Sequence, residues 1–267
     1  MQQISPEAPE ATSQFGLPFT TSQVQPGAAL TTYPFSAAGK LFFSEPSGDY
    51  VCSASVVRLR IVVTAGHCIA SPANGTAPAS FFSNWAFVPG YNNGSAPFGM
   101  WTPWAVGTTT EWYYGDGSVP NAQDIGMLIM NDQSYAQIGV WVGYLGYKTN
   151  SLAGNNVTML GYPCNLDNCE IMERTDAGNG ISGGNNTYEF GSAAGGGASG
   201  GPWVQDFGTP PTSTGAGSQN WALGANYLVA VTSYGPTGSQ GYLGASELDS
   251  SFTDLLNILC TAAPGNC

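Results

Sequence analysis

Histidine occurs once in these 267 residues, at position 67, and lysine and arginine together occur five times against 17 aspartates and glutamates. The formal net charge of -12 argues against nucleic-acid binding, which needs a basic footprint on one face of the protein. Charged residues are only 8% of the chain, so solubility rests on hydroxyls, amides and glycines, as expected of a protein that works outside cells or in acid. No run of about 18 apolar residues occurs, so no membrane span is expected. The opening Met1-Gln-Gln-Ile-Ser-Pro has neither the charged nor the apolar part of a signal peptide, and the chain is read as a mature or engineered form whose leader has been removed. No residue set with metal-ligand spacing stands out, and no cofactor is expected; Asp116-Gly117 reads as a turn rather than a calcium loop.

What the chain has in abundance is turn chemistry. With 37 glycines, 18 prolines and 42% hydrophobic residues, it reads as many short elements joined by tight turns, an all-β composition. Residues 1–32 are rich in Pro, Gln, Ser and Thr without a period, and are expected to form an extended tail. Short strands are expected at 39–43, 50–57, 59–64, 85–89, 100–106 and 124–130. After an interruption at 132–137, further strands are expected at 138–142, 156–162, 227–234 and 240–243. Residues 246–260 change to helical spacing, with Leu248, Phe252, Leu255, Leu256 and Leu259 on one face. Ser251-Phe-Thr-Asp254 has the form of a capping box.

Six cysteines permit many pairings on paper, but their spacing suggests three local ones: Cys52 with Cys68, Cys164 with Cys169, and Cys260 with Cys267. All three require an oxidising compartment. Glycosylation sequons at Asn74, Asn93, Asn156 and Asn185 fit the same secretory setting.

Three stretches carry chemistry. Ile61-Val-Val-Thr-Ala-Gly-His-Cys68 delivers His67 at the end of a β-branched strand. Asp124 opens the apolar run through Met130, and Gly195-Gly-Gly-Ala-Ser-Gly-Gly-Pro-Trp203 holds Ser199 among glycines. His, Asp and Ser in that order are one of the known chain orders of a nucleophilic triad. Ser199 would attack, His67 would take and return the proton, and Asp124 would fix the imidazole tautomer. Asp116 and Asp132 are rival acids, but neither opens an apolar strand. The backbone N–H groups of Gly197 and Ser199 are the natural donors to an oxyanion, since glycine at 197 permits the required backbone geometry. Composition alone would read 195–201 as a flexible linker; Pro202-Trp203-Val204, running directly into a strand, argues otherwise.

Thr64-Ala-Gly-His-Cys68, Asp124-Ile-Gly-Met-Leu128 and Gly197-Ala-Ser-Gly-Gly-Pro202 together resemble the signatures of the chymotrypsin-like serine peptidases, over a span from about Tyr33 to Leu259. Cys52 also sits where that family places the partner of the cysteine after the histidine. The resemblance implies two packed antiparallel β-barrels with a C-terminal α-helix. The first barrel would be residues 33–135 with His67 and Asp124, the second 136–245 with Ser199, and 246–267 the closing helix and disulfide-closed tail. It further implies a secreted, monomeric endopeptidase acting on protein or peptide substrates.

Two features depart from many members. Ala198 stands where an aspartate pairs with a newly freed N-terminal amine, so activation by terminus insertion is not expected, as in the bacterial and glutamyl-endopeptidase-like branches. The two disulfides that usually brace the specificity pocket are absent, and the Cys164–Cys169 ring is a candidate to replace them. By resemblance the pocket base is Ala193, with Ser192, Ala194, Thr232, Ser233, Tyr234 and Gly235 around it and Tyr242 close by. None carries a charge, so broad preference for uncharged side chains is expected. Thr232 and Ser192 could hydrogen-bond an acidic side chain, which keeps a glutamyl preference as the alternative. Two further alternatives are an esterase on another fold, which would need alternating strands and helices, and a catalytically silent peptidase-like binding protein.

Overall fold

The computed structural model describes residues 16–73, 78–208, 226–236 and 241–267. The first half contains β1 (Phe19–Gln23), β2 (Ala38–Glu45), β3 (Gly48–Val56), β4 (Ile61–Thr64), the short pair β5 (Ala70–Ser71) and β6 (Ser80–Phe81), β7 (Ser83–Pro89), β8 (Pro103–Thr108), helix α1 (Thr110–Tyr114) and β9 (Gly126–Met130). The second half contains helix α2 (Ile138–Val142), β10 (Gly146–Tyr147), β11 (Val157–Gly161), β12 (Glu173–Ala177), β13 (Ile181–Gly184), β14 (Thr187–Gly191), β15 (Pro202–Gln205), β16 (Tyr227–Tyr234) and β17 (Tyr242–Glu247). Helix α3 (Ser250–Thr261) closes the chain. The strands form two curled antiparallel half-barrels: β7-β2-β3-β4-β9-β8, and β1-β12-β11-β15-β16-β17-β14-β13 with β10 beside β16.

Strands β4 and β9 are buried along their whole length because both of their faces are covered. Side chains alternate across a strand, and here the alternation separates two cores. Val62, Leu128 and Met130 point into the first barrel. Ile61, Val63, Met127 and Ile129 point the other way, into a cluster shared with Val204, Leu228 and Val231 of the second barrel and Phe252 and Leu256 of α3. The strands that precede His67 and follow Asp124 are thus the floor between the two halves.

Several expectations from sequence are revised. Residues 138–142 form helix α2 instead of a strand. Ile138, Gly139 and Val142 are buried on one side, Val140 and Trp141 are exposed, and Gly143 ends the helix at φ 75°. A five-residue apolar run does not distinguish the two periods. The aromatic stretch after Thr109 forms α1, which buries Trp112 with its indole N–H on the Ala70 carbonyl at 3.1 Å. Helix α3 is capped by Asp249, whose carboxylate accepts from Ser251 N–H at 2.8 Å, so the cap lies two residues before the expected box. The buried helix face, Phe252, Leu255, Leu256 and Leu259, is the one the spacing predicts.

The N-terminal segment is more than a surface tail. From Phe19 to Gln23 it pairs antiparallel with β12, Phe19 opposite Ala177 and Gln23 opposite Glu173, and Leu30 is buried. Residues 1–15 lie outside the described residues. The three expected disulfides are present, Cys52–Cys68, Cys164–Cys169 and Cys260–Cys267. Of the sequon asparagines, Asn93, Asn156 and Asn185 are exposed, and Asn74 lies outside the described residues.

Glu173, where β1 meets β12, is only 5% exposed. Burial raises its carboxyl from an ordinary 4.5 to about 7, and the nearby Asp167 carboxylate adds to the shift by hydrogen bond and charge. A folded-state pKa raised in this way favours the protonated form. Its contribution to stability is therefore complete below about pH 4.5 and is lost as pH rises through about 7. Thermal unfolding followed across pH 4 to 8 should show the melting temperature declining over that window. Glu173→Gln should flatten this part of the decline and melt higher than wild type at its upper end.

Candidate active site

Strand β4 ends at Thr64, and a single 3₁₀ turn, Gly66–Cys68, carries His67. Space is tight there: a Cβ on Gly66 would lie 2.8 Å from the Trp112 ring and 2.9 Å from Thr108 Oγ1. The Cys52–Cys68 bridge ties the turn to β3. Asp124 precedes β9, the neighbour of β4, and is fully buried. Its carboxylate grips the turn twice. His67 N–H donates to Oδ1 at 2.8 Å, and His67 Nδ1 is 2.8 Å from Oδ2. A third bond comes from the second barrel, where Ser233 Oγ donates to Oδ2 at 2.6 Å. Burial on its own would lower the imidazole pKa, but the charge and hydrogen bond of Asp124 outweigh it and Glu45 adds to them, leaving His67 above its ordinary 6.5. Its side chain remains 31% exposed, open toward the cleft.

Ser199 is brought to this turn by its neighbours. Its carbonyl accepts from Ser53 N–H of β3 at 2.7 Å, and Gly200 N–H donates to the Thr232 carbonyl at 2.7 Å. Gly200, at φ 74°, packs directly on the residues that lead to His67: a Cβ there would lie 2.0 Å from Thr64 Oγ1 and 2.7 Å from Ala65 N. Only glycine fits. Among the described residues the Ser199 hydroxyl makes no hydrogen bond to the imidazole, a contact that in enzymes commonly tightens only when substrate binds. Gly197 has φ 95°, and the Ala198 N–H is occupied by the Gly195 carbonyl at 3.1 Å.

An opening of about 170 Å³ beside Ser199 is lined by Gly195, Thr232, Tyr234, Gly235, Pro236 and Leu243, among others. Of the expected pocket residues, Thr232, Tyr234 and Gly235 take that place. Ser192, Ala193, Ala194 and Ser233 do not line the opening. Ser192 is fully buried behind it, with its hydroxyl 3.3 Å from that of Thr175 and accepting from Ala194 N–H at 3.1 Å. Ser233 is turned away to Asp124, and because this contact spans 109 positions no local sequence pattern announces it. Thr232 Oγ1 accepts the Trp203 indole N–H at 2.9 Å. The rival acids are engaged elsewhere: Asp132 forms a two-point ion pair with Arg60, and Asp116 accepts from Ser118. On the far side of Gly197 lies a larger hollow of about 650 Å³, lined by Phe42, Phe43, Tyr50, Val51 and Asn165 among others.

No family model matches the chain. Among curated proteins it is 29% identical over 139 residues to an extracellular metalloprotease of Bacillus subtilis, covering 51% of this chain and 42% of that protein. It is 32% identical over 135 residues to a glutamyl endopeptidase of Bacillus licheniformis, covering 50% and 38% respectively. The matches thus span about two fifths of the length of these relatives. Among solved structures, the protease Anisep of Arthrobacter nicotinovorans superposes with a TM-score of 0.69 at 25% identity, covering 85% of this chain and 97% of that one. The thermostable serine protease AL20 from an extremophilic microorganism gives 0.71 at 24% identity, covering 89% and 100%. A Glu endopeptidase gives 0.66 at 14% identity, covering 89% and 95%.

The first relative's name raises the question of a metal. Among the described residues, Cys52, His67 and Cys68 present donor atoms within 4.8 Å of one another. The two sulfurs are bonded to each other, so neither is a thiolate, and the third donor is the imidazole already held by Asp124. This donor set does not fit a metal ion. The fold is that of the chymotrypsin-like serine proteases, and the proteins similar in sequence include a glutamyl endopeptidase.

Proposed function

We propose that this chain is a secreted serine endopeptidase that cleaves peptide bonds through His67, Asp124 and Ser199 and an acyl-enzyme. The observation that carries the reading is the buried Asp124 carboxylate gripping both the backbone and the imidazole of His67. Held this way, Nδ1 keeps its proton and Nε2 is left as the base. Ser199 Oγ attacks the substrate carbonyl as its proton passes to His67. The oxyanion that forms takes hydrogen bonds from Gly197 and Ser199 N–H, and His67 returns the proton to the departing amine. Water then repeats the sequence on the ester, regenerating Ser199 and releasing the acid. The side chain before the scissile bond enters the small opening at Gly235, and the departing segment lies toward the hollow at Tyr50.

Support for secretion comes from the three disulfides, the extracellular designation of one relative and the exposed sequon asparagines Asn93, Asn156 and Asn185, which would accept glycans in a eukaryotic secretory pathway. We read the chain as a monomer acting on protein or peptide substrates.

The residues lining the small opening carry no charge, which supports broad preference for uncharged side chains. Hydrophobic pockets discriminate by only about 1–3 kcal/mol per methylene. One observation favours glutamyl preference as the second reading: Thr232 Oγ1 accepts from Trp203 and so keeps its own proton to donate. The glutamyl endopeptidase among the relatives points the same way. Cleavage of a mixed peptide library should distribute over apolar and small residues. Cuts confined to Glu would establish the second reading, and dominant cuts after Lys or Arg would contradict both.

Ser199→Ala should remove turnover while leaving the melting curve in place, whereas His67→Ala should remove turnover and also lower the melting temperature, because it takes a donor from the buried Asp124 carboxylate. Asp124→Asn should lower kcat on the order of 10⁴, as loss of this carboxylate does in a Ser-His-Asp triad. A fluorophosphonate should label Ser199 stoichiometrically; a folded chain that takes up none is a binding protein.

Activity requires neutral His67, so kcat/KM should rise with pH through a midpoint above 6.5. The midpoint should fall in Asp124→Asn. Stability runs in the opposite direction. A raised histidine pKa stabilises the fold fully below about 6.5, and this contribution disappears as pH climbs through the folded-state value. Parallel pH–rate and pH–melting series should therefore separate the optimum for activity from that for stability.

A further inference from the structure

An oxyanion site works only if the N–H groups of Gly197 and Ser199 aim at one point, and an N–H is aimed by the peptide plane it belongs to. Each plane also carries the carbonyl of the preceding residue, pointing the opposite way in a trans peptide. The carbonyls along 196–199 therefore report how each donor is held. The Gly196 carbonyl, in the plane of the Gly197 N–H, accepts from Cys164 N–H at 2.6 Å. The Ala198 carbonyl, in the plane of the Ser199 N–H, accepts from Gly201 N–H at 2.9 Å. Between them, the Gly197 carbonyl accepts from Ser53 Oγ at 2.8 Å, and the Ser199 carbonyl accepts from Ser53 N–H at 2.7 Å. All four carbonyls are tied down, and Ser53 supplies the one side chain that does it.

Ser53 is 1% exposed, and each of its polar atoms is engaged. Besides these two donations, its hydroxyl accepts from Tyr162 N–H at 2.9 Å and its carbonyl accepts from Thr64 Oγ1 at 2.8 Å. It therefore joins the loop of Ser199, the strand end that leads to Cys164 and the strand that leads to His67. Glycines on either side leave it room: a Cβ on Gly201 would lie 3.3 Å from Ser53 Cβ, and one on Gly161 3.1 Å from its hydroxyl. Ala198, also buried, offers no charge with which to hold the loop by an ion pair.

We infer that Ser53 is a positioning residue of the oxyanion site, its hydroxyl fixing the Gly197–Ala198 peptide plane between the two donors. This rests on the reading of the chain as a serine endopeptidase. Loss of the hydroxyl leaves the Gly197 carbonyl and the Tyr162 N–H without partners and lets the plane between the donors turn. Ground-state binding, which uses the side-chain openings, is untouched.

The test compares the whole chain with Ser53→Ala and Ser53→Thr on a peptide amide substrate, with rates normalised to the fraction titrated by a fluorophosphonate. Removing an oxyanion donor outright costs about 10²–10³ in kcat, so misaiming one in Ser53→Ala should cost about ten- to a hundredfold, with KM unchanged. A peptide aldehyde, which forms a tetrahedral adduct with its oxygen in the site, should lose affinity in proportion. Ser53→Thr keeps the hydroxyl and should recover most of the turnover; it is also the informative variant if Ser53→Ala does not fold. Undiminished kcat and aldehyde affinity in folded Ser53→Ala would overturn the role, as would folded Ser53→Thr impaired with its hydroxyl in place. A wild-type chain that neither hydrolyses the substrate nor takes up the fluorophosphonate would overturn the peptidase reading itself.

Discussion

A carboxylate removed from water must be surrounded by donors or it unfolds what surrounds it; leaving one buried and unpaired costs about 3–5 kcal/mol. Asp124 meets that condition with three donors, two from His67 and one from Ser233. The first two lie in the first barrel and the third in the second. The charge can be satisfied only when the barrels are docked in one arrangement, and in that arrangement the imidazole has one orientation. Fold and site are consequently the same problem at this position, and the apolar strands β4 and β9 exist in their continuous form because the floor beneath Asp124 must exclude water on both sides.

A different economy holds the other side of the site. Charged residues are scarce throughout, and the loop 195–201 is organised by neutral hydrogen bonds and close packing. Glycine at 197 and 200 follows from this. The first has a positive φ with the Tyr162 carbonyl 2.4 Å from where a Cβ would lie, and the second rests on Thr64 and Ser53. One charged contact does enter nearby. Lys40, almost fully buried, pairs with Glu170 at 2.9 Å, and the same carboxylate receives the Tyr91 hydroxyl. This anchors the Cys164–Cys169 ring to the first barrel, on the side of Gly196 and Gly197, while Asn165 reaches back to the Ala193 carbonyl at 2.9 Å. The ring braces the loop of Ser199 more directly than it braces the small opening at Gly235.

Much of this was legible in the chain before its structure. The lone histidine at a strand end, the aspartate opening an apolar run and the serine among glycines are local patterns, and so is the apolar face of α3. What escaped has a common cause. The helix at 138–142 is too short for its period to show. Strand β12 carries polar residues on both faces, β13 and β14 are only four and five residues long, and β1 hides in a segment whose composition suggests no structure. Ser233 and Ser53 owe their importance to partners more than a hundred positions away, and nothing in a serine's neighbours in sequence announces such a contact.

Two segments, β1 and α3, are laced across the molecule. The strand β1, which precedes the first barrel in sequence, is hydrogen-bonded into the second, while α3, which follows the second, packs its Leu255 against Gly107 of the first. Each half is thus fastened by a segment belonging to the opposite end of the polypeptide. Neither β1 nor α3 can come away without breaking contacts to the opposite barrel, so the opening of one half is coupled to the other. For a protein proposed to cut extended polypeptide, this is a form of self-protection for these two segments: while both halves hold, neither β1 nor α3 is offered to a neighbour as a free strand to cleave.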